Sequence, residues 1–400
     1  MESTIHIQIL LCGFAIAVVL GAVAHKTHFC TLGAVSDWVN IGDNGRLCAW
    51  FLAIAVAVAG VTLLEGSGLV AFDATRPPYR NAGFAWPRYL LGGLMFGVGM
   101  SLAGGCGTKN LIRLGGGNLK SLCVVVTIGV FAYLMTKTDF YAIFFHSWLQ
   151  PLTIDLDQFN INAQDIGSLL TALFTIDLMT ARLLCGTVLS TLLVILILCS
   201  HDFRNSADNA LGGITVGLCI LGGWYLTGGS LGQAWQEEVA WMDVPPLGVG
   251  VQSYTFVNPM GEGLAYLAQP TNVQLLTFGT LAVAGVLVGS FIYALFSRRL
   301  QLEWFVSWAD FFRHVGGAAL MGIGGVLAMG CTIGQGITGV STLALGSFVA
   351  LGTIILGSAT TLKVMYYKML YEDASVFDAV LSGWADLHLL PQSLRRLEAL

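Results

Sequence analysis

Three cysteines lie in short polar stretches of an otherwise apolar sequence: Cys30 in 25-HKTHFCTLGAVSDWVNIGD-43, Cys106 in 104-GGCGTKNLIRLGGGN-118 and Cys331 in 330-GCTIGQGITGVST-342. A thiol is a weak hydrogen-bond donor and a soft, polarisable group. It suits the terminal sulfur of a sulfur oxyanion, because its contacts are loose enough for a passing substrate to leave. The three cysteines therefore predict weak binding sites along a path for a sulfur-containing anion.

Charged groups, amides and glycines accompany these cysteines in the sequence. Lys26 and Lys109 would attract a dianion, while Asn110 and Gln335 would donate hydrogen bonds to its oxygens. His28 lies two residues before Cys30. An ionisable group at membrane depth is costly, so its presence suggests a functional role. Glycines around Cys106 and Cys331 predict broken helices with exposed backbone N–H groups, and half-helix N-termini attract anions. These glycines are Gly105, Gly107, Gly330, Gly334 and Gly336.

An internal repeat contains two of the cysteines. A shift of 225 residues lays 88-RYLLGGLMFGVGMSLAGGC-106 on 313-RHVGGAALMGIGGVLAMGC-331, with eight identities in 19 positions. Transporters are commonly built from two repeated halves, with the substrate site near their interface. We therefore predict repeat halves at about 1–150 and about 181–364 around a central pathway. Basic residues precede both copies, so the sequence leaves parallel and inverted orientations open.

The composition requires a membrane environment for these segments. Of the 400 residues, 56% are hydrophobic and only 10% are charged, whereas soluble domains carry roughly 25% charged residues. We predict an all-α polytopic membrane protein in which 1–400 form a single transport domain, with a C-terminal interfacial helix in 373–398. About nine membrane helices are expected from the apolar stretches, at 5–24, 46–64, 88–104, 119–136, 181–199, 210–226, 273–296, 312–329 and 346–364.

The charges of the loops suggest which side of the membrane each loop faces. Residues 65–87 and 297–311 carry arginines, which favours the cytoplasmic side for both by the positive-inside rule. The acidic loop 227–272 has no Lys or Arg and is expected outside. The mild net charge of −5 argues against a nucleic-acid partner. No Walker A pattern is present, so ATP coupling within this chain is not expected.

The motifs resemble the YeeE/YedE sulfur-transport family. Phe29-Cys30, GGCG at 104–107, GCTIGQG at 330–336 and 253-SYTFVNPMGE-262 carry the resemblance, which extends over nearly the whole chain. It implies an hourglass-shaped protein of the bacterial inner membrane that takes up thiosulfate. In that family, three cysteines contact the substrate in turn through S–H hydrogen bonds, and they match Cys30, Cys106 and Cys331. This chain has His25-Lys26 where members often have Gln-Arg, so its oxyanion preference can differ.

We therefore expect a transporter rather than an enzyme, with no cofactor and no resident metal. Thiosulfate or a related sulfur anion is the expected substrate, membrane lipid surrounds the protein, and a cytoplasmic sulfur-carrier or sulfurtransferase protein is a candidate partner. Other interpretations stay open: another sulfur or selenium species, or a soft metal ion held by His25, His28 and Cys30. A membrane sulfurtransferase or redox protein would instead form a persulfide at Cys30, beside His28 and Lys26. A structural subunit or receptor is the remaining alternative.

Overall fold

The computed structural model describes residues 4–398 of the chain, and its regular structure is almost entirely helical. Apolar sequence favours helices in a membrane because each helix satisfies its own backbone N–H and C=O groups. The α-helices are α1 Thr4–Lys26, α2 Thr31–Asn40, α3 Gly45–Gly66, α4 Trp86–Leu102, α5 Gly107–Gly115, α6 Leu119–Lys137, α7 Ser147–Leu149, α8 Ile166–Phe174, α9 Leu178–Cys199, α10 His201–Arg204, α11 Ala207–Gly228, α12 Ser230–Ala240, α13 Val257–Ala268, α14 Phe278–Phe296, α15 Trp308–Leu327, α16 Leu345–Leu370 and α17 Val376–Asp386.

Shorter elements complete the described part of the chain. The segment 332–341 is helical, with a π-helical centre at Gly334–Gly339, and a second π-helical turn is Ala142–His146. Two pairs of two-residue strands are present: β1 Thr75–Arg76 pairs in parallel with β4 Val251–Gln252, and β2 Gly83–Phe84 pairs with β3 Ile154–Asp155 in antiparallel fashion. The 3₁₀ turns are Gln150–Leu152, Leu156–Phe159, Val273–Leu275 and Gln392–Leu394.

Eight helical stretches of the described chain are long and apolar enough to cross a membrane, which confirms the predicted polytopic all-α fold. Two of them contain a break, since Thr4–Asn40 joins α1 to α2 and Trp86–Gly115 joins α4 to α5. The ninth predicted span, 312–329, is also helical. Its helix α15 carries Asp310, Arg313 and His314 near its start, which makes it less apolar than the other eight.

The two helices of the internal repeat, α4 and α15, cross in opposite directions. A Cβ added at Gly92 would lie 2.5 Å from the backbone nitrogen of Ala328, and one at Gly99 would lie 2.4 Å from the carbonyl oxygen of Gly317. The start of α4 thus meets the end of α15, and the end of α4 meets the start of α15. We infer that the two halves are inverted relative to each other, as in many transporters. The exact limits of the halves stay a prediction.

Each half packs its helices against those of the other half. Helix α1 lies along α14, where a Cβ at Gly21 would lie 2.3 Å from the carbonyl oxygen of Val286. Helix α11 lies along α3 in the equivalent way, with Gly213 against the carbonyl oxygen of Ala49. Glycine allows such close approach of two helix backbones, and small residues are the usual contact surface between membrane helices.

Loops 65–87 and 297–311 do not lie at the same end of the bundle, although their charges suggested a shared side. Residues 65–87 and 227–272 meet at one end of the bundle through the β1–β4 pairing. Loop 297–311 lies at the opposite end, where the amide of Gln301 donates to the carbonyl of Gly116. The expectation that 65–87 and 297–311 share one side is therefore wrong. Its physical reason is Arg80, which is buried against Glu65 and does not act as a loop charge at the membrane boundary.

The C-terminal helix α17 packs against the end of α16. Asp386 accepts a hydrogen bond from the hydroxyl of Tyr367 at 2.8 Å and forms ion pairs with Lys363 and Arg395. Val376 and Phe377 on the same helix are exposed. Exposed apolar side chains are compatible with the predicted position at the membrane interface, which stays a prediction.

Candidate functional site

All three predicted cysteines occupy the same local position, at the start of a short helix that follows a break. Cys30 caps α2, and its Sγ accepts a hydrogen bond from the amide of Gly33 at 3.4 Å. Cys331 precedes the segment 332–341, and its Sγ accepts from the amide of Gly334, also at 3.4 Å. Cys106 is the N-cap of α5. Each break ends a long helix, which is the arrangement that the glycine-rich runs predicted.

Cys30 and Cys106 line the same small pocket, although they are 76 residues apart in sequence. Both thiols are buried and reduced. Ile333, two residues after Cys331 in the other half, lines the same small pocket as the two thiols. The free space beside the two thiols is about 10 Å³, which holds about one water molecule. The helix breaks of both halves thus meet at one narrow pocket, which Cys30 and Cys106 line and Cys331 does not.

Thr255 lies beside the Cys331 break, at the position that corresponds to Cys30 in the other half. A Cβ added at Gly334 would lie 2.4 Å from Oγ1 of Thr255, so the hydroxyl lies against the first turn that holds Cys331. Sequence reasoning missed this residue. The signal was present, because the shift of 225 residues that aligns Cys106 with Cys331 also aligns Cys30 with Thr255.

The two predicted amides, Asn110 and Gln335, have matching partners within the protein. Nδ2 of Asn110 donates to the carbonyls of Gly105 and Cys106, and its Oδ1 accepts from Ser121 at 3.1 Å. Nε2 of Gln335 donates to the carbonyl of Ala328 at 2.5 Å, and its Oε1 accepts from Ser347 at 2.5 Å. Each amide therefore ties a helix break to the following helix. Direct contact with a substrate stays a prediction for both.

The predicted glycines lie in contacts that leave little room for a side chain. A Cβ at Gly336 would lie 2.2 Å from the ring of Trp50, and one at Gly107 would lie 3.3 Å from Cε of Met260. Added Cβ atoms at Gly105 and Gly330 would lie 3.0 Å from Lys109 and 3.1 Å from Gln335, respectively. The breaks can therefore pack tightly around the cysteines.

The three predicted cationic groups lie in different surroundings. Lys26 and His28 are exposed at the end of α1, and His28 has a φ of 52° where the chain turns into the break. Lys109 is half-buried in the first turn of α5. Within residues 4–398 it forms no ion pair with a carboxylate, so its positive charge is available to the thiol pair. His25 is bonded to Ser290, with Nδ1 2.8 Å from Oγ.

The soft-metal hypothesis required His25, His28 and Cys30 to share a ligand. In the part of the chain that the structure describes, no group of three or more His, Cys, Asp or Glu residues is arranged to hold a metal ion. Nδ1 of His25 is instead bonded to Oγ of Ser290. The geometry therefore does not favour this alternative.

A wider cavity opens at the end of the bundle where 65–87 and 227–272 meet. Its volume is about 350 Å³, and we call it the Arg88 vestibule. Its walls include Arg76, Arg88, Asn258 and Glu262, and Thr255 and Met329 lie at the side of the Cys331 break. The vestibule thus leads from one surface of the protein toward the cysteines.

Comparison with known proteins identifies the group to which this arrangement belongs. The chain matches the family described as Sulphur transport over residues 26–360, a region that contains all three cysteines and both repeat copies. The chain belongs to the sulphur transport family. Its membership confirms the resemblance seen in the sequence motifs, and it makes the chain a membrane transporter rather than an enzyme.

Two curated proteins are similar to this sulphur transport family member over almost their whole length. The thiosulfate transporter TsuA of Escherichia coli (strain K12) is 25% identical over 366 residues, covering 90% of this chain and 96% of the relative. The thiosulfate transporter TsuA of Spirochaeta thermophila is 23% identical over 364 residues, covering 89% and 99%. The whole membrane domain is therefore shared, at low identity.

Proposed function

We propose that this sulphur transport family member carries thiosulfate across the bacterial inner membrane, in contact with the thiols of Cys331, Cys106 and Cys30. The observation that carries the proposal is the placement of these thiols at the starts of three short helices that follow breaks, with Cys30 and Cys106 beside one small pocket. Support for the substrate comes from the two relatives, which are thiosulfate transporters. Thiosulfate has a soft terminal sulfur and charged oxygens, so it matches thiols and helix N-termini together.

A non-covalent mechanism follows from the hydrogen bonds of the caps. The sulfur of Cys30 and that of Cys331 each accept a backbone N–H, which leaves the S–H hydrogen free to donate to an anion. The exposed amides of each first turn add partial positive charge. Each site is weak, so the anion can move from one thiol to the next without being trapped.

Lys109 supplies a full positive charge that acts on the Cys30–Cys106 pair. It has no carboxylate partner in the described part of the chain, and a half-buried cation without a partner attracts anions strongly. Its ammonium lies on the same short helix as Cys106. Lys109 therefore favours entry of a dianion into the narrow centre.

The distribution of basic residues supports a direction for uptake. Five of the 18 Lys and Arg residues belong to the end with the Arg88 vestibule: Arg76, Arg80, Arg88, Lys137 and Arg182. The other thirteen lie toward the opposite end of the bundle: Lys26, Arg46, Lys109, Arg113, Lys120, Arg204, Arg298, Arg299, Arg313, Lys363, Lys368, Arg395 and Arg396. The positive-inside rule then makes the vestibule external and the Cys30 end cytoplasmic. A cytoplasmic sulfur-carrier protein would meet the transporter at that end.

Uptake of ³⁵S-thiosulfate into liposomes that contain the purified protein tests this proposal. Saturable uptake above that of protein-free liposomes supports it. Growth of a sulfur-auxotrophic bacterium on thiosulfate, dependent on expression of this chain, gives a second measurement. Absence of both signals, with the folded protein confirmed in the membrane, would contradict thiosulfate transport.

A second candidate is covalent sulfur transfer at Cys30, favoured by the adjacent Cys106 thiol and the Lys109 charge. The Cys30 thiolate would attack the terminal sulfur of thiosulfate, so that a cysteine persulfide forms and sulfite leaves. Intact-protein mass spectrometry after turnover distinguishes the two mechanisms. A mass gain of one sulfur atom on Cys30 supports the covalent step, and an unchanged mass supports non-covalent passage.

A further inference from the structure

Four helix starts, rather than three, are related by the inverted repeat. The shift of 225 residues aligns Cys106 with Cys331 and Cys30 with Thr255. Cys30 follows Phe29 and precedes α2, and Thr255 follows Tyr254 and lies just before α13. Three of these positions carry a thiol, and the fourth carries a hydroxyl.

The contacts at Thr255 resemble those at Cys30. Cys30 lies beside Cys106, which caps α5. Thr255 lies beside Gly334, whose amide holds Cys331 in its cap. The Thr255–Cys331 neighbourhood is therefore the inverted counterpart of the Cys30–Cys106 pair.

The two positions differ in what lies beyond them. The Cys30–Cys106 pair borders about 10 Å³ of free space, whereas Thr255 lines the Arg88 vestibule of about 350 Å³. A space of the second size accommodates an oxyanion with part of its hydration shell. Thr255 is thus the first of the four positions that an anion entering through the vestibule would reach.

The charge of the Arg88 vestibule favours an anion. Neither Arg76 nor Arg88 forms an ion pair with a carboxylate in residues 4–398. Nε of Arg88 is buried without a hydrogen-bond partner, and an unsatisfied buried donor is costly unless a ligand satisfies it. The carboxylate of Glu262 also lines the cavity, but it accepts a hydrogen bond from Thr277 at 2.6 Å. Arg76 and Arg88 therefore both line the cavity without a carboxylate partner, and the Arg88 guanidinium lies over the ring of Tyr141, 5.1 Å from its centroid.

We propose that the Arg88 vestibule is a receiving subsite for the transported anion, where Arg76 and Arg88 bind its oxygens and Thr255 passes it to Cys331. This inference rests on the proposed transport function. Guanidinium groups and a hydroxyl recognise oxygens, whereas thiols recognise soft sulfur. The subsite therefore binds sulfate as well as thiosulfate, and the discrimination between them takes place at the thiols.

Initial rates of ³⁵S-thiosulfate uptake into liposomes test the subsite. Arg88→Gln and Thr255→Val are expected to raise KM by about tenfold, the effect of losing one charge-assisted or buried hydrogen bond. Arg299→Gln removes an exposed arginine at the opposite end and should leave KM unchanged. Arg76→Gln provides a second variant at an exposed residue if Arg88→Gln does not fold. Unlabelled sulfate should inhibit the wild type competitively, and Arg88→Gln should raise its inhibition constant in parallel.

Different results would contradict the two proposals. If the wild type takes up thiosulfate while Arg76→Gln, Arg88→Gln and Thr255→Val retain its KM, the subsite is wrong and transport stands. Sulfate that fails to inhibit the wild type would also overturn the subsite. If the wild type neither takes up thiosulfate nor binds it in calorimetry, both proposals fail.

Discussion

The sulfur of Cys331 accepts a hydrogen bond from a backbone amide, and its own S–H remains free to donate to a substrate. Cys30 has the same arrangement in the other half. A cysteine at an N-cap therefore combines a fixed position with a free, weak donor. This combination suits a contact that must form and break during every passage.

Replacement of a pathway cysteine should remove uptake without unfolding the protein. We expect Cys106→Ala and Cys331→Ala each to lower the initial rate of thiosulfate uptake at least about tenfold, since one contact along the path is lost. Uptake into liposomes at matched protein content is the measurement. Cys219→Ala is the matched control, because Cys219 is also buried but lies in α11, with Sγ 3.8 Å from the carbonyl of Ile16. Wild-type rates in both pathway variants would exclude the thiol path.

Residue types alone predicted the three cysteines and Lys109, because a thiol or a cation in a polar break of an apolar chain is unusual. Thr255 and Arg88 could not be selected in this way. A threonine in a loop and an arginine in the first turn of a helix are ordinary, and their role depends on the vestibule that they line. The partners of Asn110 and Gln335 could not be predicted either, since Ser121 and Ser347 come from the following helices.

At the scale of the elements, the crossing of α4 and α15 depends on glycine. A Cβ at Gly317 would lie 2.6 Å from the carbonyl oxygen of Gly99, whereas the space next to Gly316 is open. We expect Gly317→Ala to lower the melting temperature by several degrees, because the crossing helices must move apart. Gly316→Ala, at the adjacent position, should be neutral or slightly stabilising, since alanine favours a helix. Thermal unfolding in detergent measures both, and equal effects would contradict the crossing.

An ion-pair cluster holds α9 and α3 to the loop before α8. Arg182 forms ion pairs with Asp165 and Glu65, at 3.0 Å and 3.1 Å. Burial alone would raise the pKa of Asp165, but the hydrogen bond from Arg182 and the charges of Arg80 and Arg182 lower it below its usual value. A carboxyl group with a lowered pKa in the folded state stabilises the protein at neutral pH, and this contribution is lost as the pH falls through that pKa.

Acid should therefore destabilise the wild type through Asp165. We expect the melting temperature to fall below about pH 4, where an ordinary aspartate begins to bind protons. Asp165→Asn should lower stability at pH 7 by about 3–5 kcal/mol, the usual effect of breaking a buried ion pair. The variant should also show a weaker dependence on acid. An identical pH profile in the variant and the wild type would exclude this role for Asp165.

The long helices were predictable because each is an apolar stretch of membrane-spanning length. The side of each loop was not, because a loop arginine such as Arg80 can pair internally instead of facing lipid headgroups. The orientation of the repeats also required the structure. Antiparallel contact between Gly92 and Gly324 decides it, and no local sequence pattern reports which way a helix crosses its counterpart.

At the scale of the whole molecule, the proposed orientation can be measured by labelling introduced cysteines. Asp243 and Asp373 are both exposed aspartates, at opposite ends of the bundle. We expect a membrane-impermeant maleimide to label Asp243→Cys in intact spheroplasts, and Asp373→Cys only after lysis, because the basic end faces the cytoplasm. The wild type provides the background from the native cysteines. The reverse pattern would place the Arg88 vestibule on the cytoplasmic side.

The inverted crossing of α4 and α15 has a thermodynamic consequence for the proposed path. An anion that travels in either direction meets a helix start from each half, so the sequence of contacts is nearly palindromic. A passive route of this kind does not set the direction of net flow, which follows the electrochemical gradient of the anion. On this account, net import of a dianion requires that the cytoplasm consume it fast enough to offset the inside-negative membrane potential, which opposes its entry by about 4–5 kcal/mol per 100 mV.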